Sequence, residues 1–318
     1  MRVITNFSSP QGAGESSLAI GCFDGLHRAH RAVLDLAVRD CAPGLIPSVF
    51  TFSMGDGGFK GAPQLETDRQ RLAELARLGV KQVFLAQPEQ VRDLTPEEFV
   101  ERILVGVCRA RRVCCGFHFQ FGKNRAGSAE DLRRLCAARG IETAVLPEMT
   151  EGGSAISSTR IRALVQDGQM EQAGALLGRP FGFLLPVASG RQLGRTIGVP
   201  TMNQPLPPGL VRPRFGAYAS QVVLDGAVYY GLTNVGKKPT VGSDQVVSET
   251  WIPRFQGDLY GREVEVSLLH FLRPEQKFPG LSALREQIGR DQLAAEHWLR
   301  GQALPSMKNL PPAAFSSE

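Results

Sequence analysis

Through the first half of the chain, short apolar runs alternate with amphipathic stretches. Ser17-Leu18-Ala19-Ile20, Ile46-Pro47-Ser48-Val49-Phe50-Thr51-Phe52 and Gln82-Val83-Phe84-Leu85-Ala86 have the length of strands and, in the second above all, their β-branched and aromatic content. Asp68 to Leu78 has helical spacing and is closed by Gly79. Thr95-Pro96-Glu97-Glu98 sets an N-cap, a first-turn proline and a returning glutamate ahead of Phe99 to Leu104, which predicts a helix start. Arg112 to Gly116 reads as a strand, Ser128-Ala129-Glu130-Asp131 opens a helix that Gly140 ends, and Ile141 to Leu146 supplies another strand. This order predicts a doubly wound α/β domain, a parallel sheet covered by helices.

After Pro180 the period changes from helical to alternating. Tyr218 to Leu224 and Ala227 to Leu232 flank Asp225-Gly226, a strong two-residue hairpin signal, and Arg262 to Leu272 reads as a long strand. Helical spacing returns only over Leu281, Leu284, Ile288, Leu293, Trp298 and Leu299. The second domain is therefore expected to be a mostly antiparallel β-barrel or sandwich with a C-terminal helix. The expected boundaries are 1–180 and 181–302, with 303–318 as a flexible tail.

A length of 318 residues agrees with two domains. Hydrophobic content of 42% and charged content of 21% are those of a globular chain, and no apolar run approaches the ~20 residues of a spanning helix. No secretory pattern opens the chain, so a cytoplasmic location is expected. The six cysteines all precede residue 140 without a C-x-x-C pair, which argues for free thiols over disulfides or zinc. The net charge of +5 is scattered, which suits phosphate-bearing small molecules and not nucleic acid. Neither a membrane nor a nucleic-acid partner is expected, and the chain is read as a monomer or weak homo-oligomer.

Chemistry concentrates in two kinds of segment. Gly21-Cys22-Phe23-Asp24-Gly25-Leu26-His27-Arg28-Ala29-His30 joins a strand end to a helix start, where free backbone N–H groups and the helix dipole form an anion site. His27 and His30, three apart, share one helix face and can both donate to a phosphate. A capping role is the alternative for a histidine at this place. Ile156-Ser157-Ser158-Thr159-Arg160-Ile161-Arg162 begins a second helix with hydroxyls at its N-terminus and Arg162 one turn on. Taken alone, Ser158 or Thr159 reads as a plain N-cap.

Together, G-x-F-D-G-x-H-x-x-H and I-S-S-T-x-I-R resemble the two signatures of the nucleotidylyltransferase superfamily. Downstream, Gly190-Arg191-Gln192-Leu193-Gly194-Arg195-Thr196-Ile197-Gly198-Val199-Pro200-Thr201-Met202-Asn203 resembles the riboflavin kinase signature G-x-x-x-G-R-x-x-G-x-P-T-x-N. Gly231 to Thr240, Ser248-Glu249-Thr250, Gly257 to Gly261 and Leu272 to Phe278 continue that resemblance. From about Ser17 to Leu299 the chain is similar to the prokaryotic bifunctional riboflavin kinase/FMN adenylyltransferase family, also called FAD synthetase. The resemblance implies a Rossmann-like nucleotidylyltransferase domain followed by a β-barrel riboflavin kinase domain, with ATP and Mg²⁺ used in both steps and riboflavin, FMN and FAD as substrates or products.

It also implies site residues. His27, His30 and Arg162 would stabilise charge in adenylyl transfer, with Gly21, Phe23, Asp24, Gly25, Ser157, Ser158 and Thr159 around the nucleotide. Glu249 would be the base for the flavin's terminal ribityl hydroxyl. Thr201 and Asn203, alternate residues of an extended segment, would face Mg²⁺ or phosphate. Gly194, Arg195, Gly198 and Pro200 would cover the second nucleotide, a surface hairpin being the alternative. Phe119, Phe121, Asn234 and Trp251 are the expected flavin contacts, with core packing as the alternative for Trp251.

Three positions depart from the family pattern. Ala29 replaces the glycine of H-x-G-H. His118 stands in Phe117-His118-Phe119-Gln120-Phe121-Gly122-Lys123-Asn124-Arg125 where aspartate or asparagine is usual. Ser53-Met54-Gly55-Asp56-Gly57-Gly58 replaces a P-H-P element, which predicts a softer loop. These departures keep open a riboflavin kinase with a degenerate adenylyltransferase domain. A non-catalytic flavin or nucleotide sensor is the further alternative.

Overall fold

The alternating signals of the first half resolve into one parallel sheet. Its strands are β1 (Arg2–Ile4), β2 (Ser16–Ile20), β3 (Ile46–Phe52), β4 (Gln82–Ala86), β5 (Ala110–Gly116) and, after a short hairpin of β6 (Gln120–Phe121) and β7 (Gly127–Ser128), β8 (Glu142–Leu146). Their spatial order is β1-β4-β3-β2-β5-β8, with every neighbour parallel. The computed structural model describes residues 1–7, 14–55, 61–189, 194, 198–240, 243–303 and 306–310. It separates into two units, Met1–Lys60 with Thr67–Ser158 and Gly61–Glu66 with Thr159–Glu318.

In the first unit the helices are α1 (Arg28–Val38), α2 (Asp68–Arg77), α3 (Pro96–Glu98) and α4 (Ala129–Ala137). All five residues of β2 are buried, as a central parallel strand covered on both faces requires. Leu18 and Ile20 pack with Phe50, Phe84, Phe99 and Leu132 on one side, while Ala19 packs with Val33, Leu34, Val49 and Leu75 on the other. The capping box at Thr95 and Glu98 is formed, after which Phe99–Val107 continues as a π-helix. The N-terminal residues add β1 to the sheet edge beside β4.

Strand order positions the site. From β2 the chain winds outward to β3 and β4, then crosses back to β5 and β8, so β2 and β5 are the neighbours at which the winding reverses. In open α/β sheets the crevice beyond the carboxyl ends of such strands receives ligands. Those ends lead into Gly21–His27 and Phe117–Phe119.

The second unit begins with α5 (Ser158–Gln166), apart from Ser158 itself, and α6 (Met170–Leu177). Six antiparallel strands follow: β11 (Phe181–Pro186), β12 (Thr201–Pro205), β13 (Gly216–Leu224), β14 (Ala227–Thr240), β15 (Ser243–Trp251) and β16 (Glu263–Pro274). A further hairpin, β9 (Thr150–Glu151) and β10 (Ser154–Ala155), lies just before α5 in the first unit. The order β11-β16-β13-β14-β15-β12 curls until its edges meet. Gln204 Nε2 donates to the carbonyls of Leu185 (2.7 Å) and Val264 (2.8 Å), and the Ala188–Asn203 bridge joins the same edges. Asp225 and Gly226 both have positive φ, as a tight primed hairpin requires.

The C-terminal helix α7 (Leu281–Arg300) packs through Ile288, Trp298 and Leu299 of the expected positions, while Leu281 and Leu293 turn outward. Leu293 is 70% exposed, because five residues from Ile288 carry it about 140° around the helix. Asp291, Ala295 and Glu296 are buried beside Leu299. Arg273 on β16 grips Asp291 through Nε and Nη2 at 2.9 and 2.7 Å, and the Tyr230 hydroxyl donates to Glu296 at 2.6 Å. Asp291→Ala strands that guanidinium and is expected to cost about 3 kcal/mol, read as a lower urea midpoint for the barrel. Where the sequence suggested a frayed tail, Met307 and Asn309 are buried, and Asn309 bonds the backbone of Tyr230 and Pro253. All six cysteines are free thiols, and burial pushes Cys114 and Cys115 up to about 12, far from reactive.

Candidate active sites

At the end of β2 the chain turns through Phe23, Gly25 and Leu26, all at positive φ, and enters α1 with His27 as its N-cap. The His27 Nδ1 accepts from the backbone N–H of His30 at 3.3 Å. A ring nitrogen that accepts carries no proton, so neutral His27 holds its proton on Nε2. The two imidazoles stack with centroids 3.6 Å apart, and Phe23 supports His30 edge-on at 5.3 Å. Both expectations for His27, cap and phosphate donor, are compatible: one nitrogen caps and the other is left to donate.

Burial pushes His27 down to about 4. Burial, then His27, then the nearby Arg71 guanidinium hold His30 well below its ordinary value. Two neutral rings can stack face to face where two imidazolium ions would repel. Neutral His27 therefore stabilises the fold fully above pH 6.5, and that stability is lost as pH falls toward 4. The loss is about 3 kcal/mol for His27 alone, to be seen as a falling melting temperature of the first unit between pH 7 and 4.5 that His27→Asn flattens.

The second signature meets the first where Ser158 Oγ donates to the Asp24 carbonyl at 2.9 Å. Ser157 and Ser158 are half-buried and Thr159 is exposed. Arg162 lies one turn into α5, on residues of the second unit. Phe121 is buried against Phe99, and a side chain on Gly127 would strike its ring. Phe119 stacks on Phe121 at 5.7 Å and is the more open of the two. His118 Nε2 lies 2.6 Å from Glu148 Oε1, so a carboxylate stands beside this departure from the family pattern.

The first two residues of the loop expected to be soft, Ser53 and Met54, are held by hydrogen bonds. Asp68 accepts from Ser53 Oγ at 2.7 Å and from the Met54 N–H at 3.1 Å. Residues 56–60 lie outside the described residues. Sequence reasoning missed Asp68 and its partner Arg71, although Arg71 falls on the apolar stripe with Leu75, an odd place for a charge.

In the barrel, register assembles the other site. Asn203 on β12 pairs with Glu249 on β15, which pairs with Asn234 on β14. In-register residues on adjacent strands project from the same face, so an amide, a carboxylate and an amide stand in one row. Thr201, Trp251 and Leu232 form the next row on that face. Trp251 packs against the Ala219–Leu232–Ala295 cluster under α7, the packing alternative.

Asn203 is buried, while Glu249 and Asn234 are half-buried. Pro200 and Thr201 line a pocket together with Thr250, Phe255, Asp258 and Tyr260. Gly194 accepts from the Val199 N–H at 2.8 Å, and a side chain there would strike the Val199 carbonyl. Gly198 has φ +77° and Arg195 lies outside the described residues.

A metal fits this face in one way. Among the described residues no three His, Cys, Asp or Glu side chains gather to hold an ion. Thr201 and Asn203 offer hard oxygens from alternate positions of one strand, a partial set that suits Mg²⁺ carried in on phosphate oxygens. Among the described residues no helix is long and apolar enough to cross a membrane.

Comparison with known proteins matches both halves in order. The FAD synthetase family model matches residues 9–160 and the riboflavin kinase family model residues 177–299. The bifunctional riboflavin kinase/FMN adenylyltransferase of Listeria monocytogenes is 32% identical over 283 residues, covering 86% of this chain and 90% of that protein. The Escherichia coli K12 protein of the same name is 34% identical over 288 residues, covering 88% and 92%. A crystal structure described as a macrolide-efflux protein from Streptococcus pneumoniae superposes with a TM-score of 0.82 at 28% identity, over 94% of this chain and 100% of that one. With both catalytic modules matched in one continuous polypeptide, the chain belongs to the bifunctional riboflavin kinase/FMN adenylyltransferase family.

Proposed function

We propose that this chain phosphorylates riboflavin to FMN in the barrel and adenylylates FMN to FAD at the parallel sheet, using one ATP in each step. The observation that carries the reading is the Asn203–Glu249–Asn234 row, which sets one carboxylate between two amides beside the pocket at Thr201. In the barrel, Glu249 takes the proton of the terminal ribityl hydroxyl as its oxygen attacks the γ-phosphorus, and ADP leaves. Thr201 and Asn203 would hold Mg²⁺, which when bound neutralises charge on the phosphates. Gly194, Gly198 and Pro200 would lie over the nucleotide, while Asn234 orients the flavin.

At the sheet, a phosphate oxygen of FMN attacks the α-phosphorus of ATP and pyrophosphate leaves. The Nε2–H of His27 and the backbone N–H groups at the start of α1 stabilise the charge that builds there, with His30 assisting. Phe23, Gly25 and the Ser158–Asp24 link shape the turn that receives the triphosphate. Phe119, backed by Phe121, offers a face for the flavin ring. The reading includes cytoplasmic location, a monomer or weak homo-oligomer, and no nucleic-acid partner.

Incubation with riboflavin, ATP and Mg²⁺, followed by chromatography, tests it. FMN and FAD together are the expected products. FMN alone would reduce the chain to a riboflavin kinase, and neither product would overturn the reading.

A further inference from the structure

Arg71 is 1% exposed, and a guanidinium is withdrawn from water only when its surroundings replace water's hydrogen bonds. Its partners converge on the nucleotide end of the sheet. Nη1 donates to the Cys22 carbonyl at 2.8 Å, inside the turn between β2 and His27. Nη2 donates to the Phe52 carbonyl at 2.6 Å, the last residue of β3, and to Asp68 Oδ1 at 2.6 Å. The Cys22 carbonyl also accepts from Thr51 Oγ1 at 2.9 Å.

Asp68 carries the clamp further. While Oδ1 meets Arg71, Oδ2 accepts from Ser53 Oγ, and both oxygens receive the Met54 N–H. One side-chain pair on the first turn of α2 thus fixes both the turn bearing His27 and the segment after β3. That segment is where this chain lacks the P-H-P element of its family, and proline rigidity is replaced by hydrogen bonds.

We propose that Arg71, locked by Asp68, is a positioning residue for adenylyl transfer, holding the Gly21–His27 turn and the Ser53–Met54 segment in the geometry that receives the nucleoside triphosphate. A planar fork with several donors can reach two carbonyls and a carboxylate at once, which a lysine ammonium on the same stem cannot do in fixed directions. The inference rests on the adenylyltransferase reading of the first unit.

The full chain carries its own control, since the barrel reports riboflavin phosphorylation in the same molecule. Arg71→Met, Arg71→Lys and Asp68→Asn are compared with wild type for FAD formation from supplied FMN over a range of ATP. Arg71→Met and Asp68→Asn are expected to raise KM for ATP at least about tenfold and to lower kcat, with riboflavin phosphorylation unchanged and Arg71→Lys in between. Asp68→Asn keeps the side-chain shape, so it serves if Arg71→Met fails to fold. A purely structural Arg71 would lower the active fraction, and hence kcat, with KM for ATP unchanged; that result overturns the inference. So do wild-type constants in both variants. A wild-type chain that makes FMN but no FAD overturns the adenylyltransferase reading, and this inference with it.

Discussion

Glu249→Gln is expected to lower riboflavin phosphorylation by roughly 10²–10⁴-fold while FAD formation from supplied FMN stays at the wild-type level. The substitution is nearly isosteric, so the strand pairing of Glu249 with Asn203 and Asn234 survives and the row keeps its spacing. What disappears is the carboxylate of that row, since the flanking amides cannot accept a proton from a hydroxyl near neutral pH. Because the loss lies in the chemical step, kcat falls and KM for riboflavin changes little. The measurement is FMN formed per enzyme per minute, with FMN adenylylation assayed on the same preparation. Full phosphorylation activity in the glutamine variant would remove Glu249 from the mechanism and leave the row without its proposed base.

The second large effect belongs to His27. His27→Ala is expected to reduce FAD formation roughly 10²–10³-fold, the usual consequence of deleting one preorganised donor to a developing oxyanion. The variant also loses the N-cap of α1, at about 1 kcal/mol, so a fold effect has to be separated from a chemical one. Asparagine separates them. His27→Asn places a side-chain oxygen where Nδ1 accepts from the His30 N–H, retaining the cap, but is too short to place a donor where Nε2–H stands. Comparable activity loss in both variants, with the helix stability recovered only in the asparagine variant, is the expected pattern of constants and melting temperatures. Wild-type adenylylation in His27→Asn would assign His27 to capping alone.

These two sites were legible to different degrees. The capping box at Thr95, the closing glycines at 79 and 140, and the Asp225-Gly226 turn could be read directly because each is local: a few consecutive residues satisfy backbone groups or permit a positive φ. Glu249 and Asn203 were legible through their motifs, yet nothing in a linear string says that 46 positions of separation collapse to one rung of a ladder. Arg71 was passed over for the opposite reason. Its helical neighbours suggest an ordinary amphipathic stretch, and only the convergence of β2, β3 and α2 reveals carbonyls waiting for a buried cation. Leu293 shows the converse, an apolar residue within the helical stretch that the helical phase sends outward.

By itself the sequence determined the class of each half, the order of the modules, the places where strands turn into helices and the chemical inventory, because period, caps and turn residues act over a few bonds. Tertiary structure alone decided the reversal of winding beside β2, the tautomer of His27, the row across β12, β15 and β14, the Asp68–Arg71 clamp and the face of α7 that meets the barrel. Those features depend on register and burial, which arise only when segments far apart in the chain exclude water from one another.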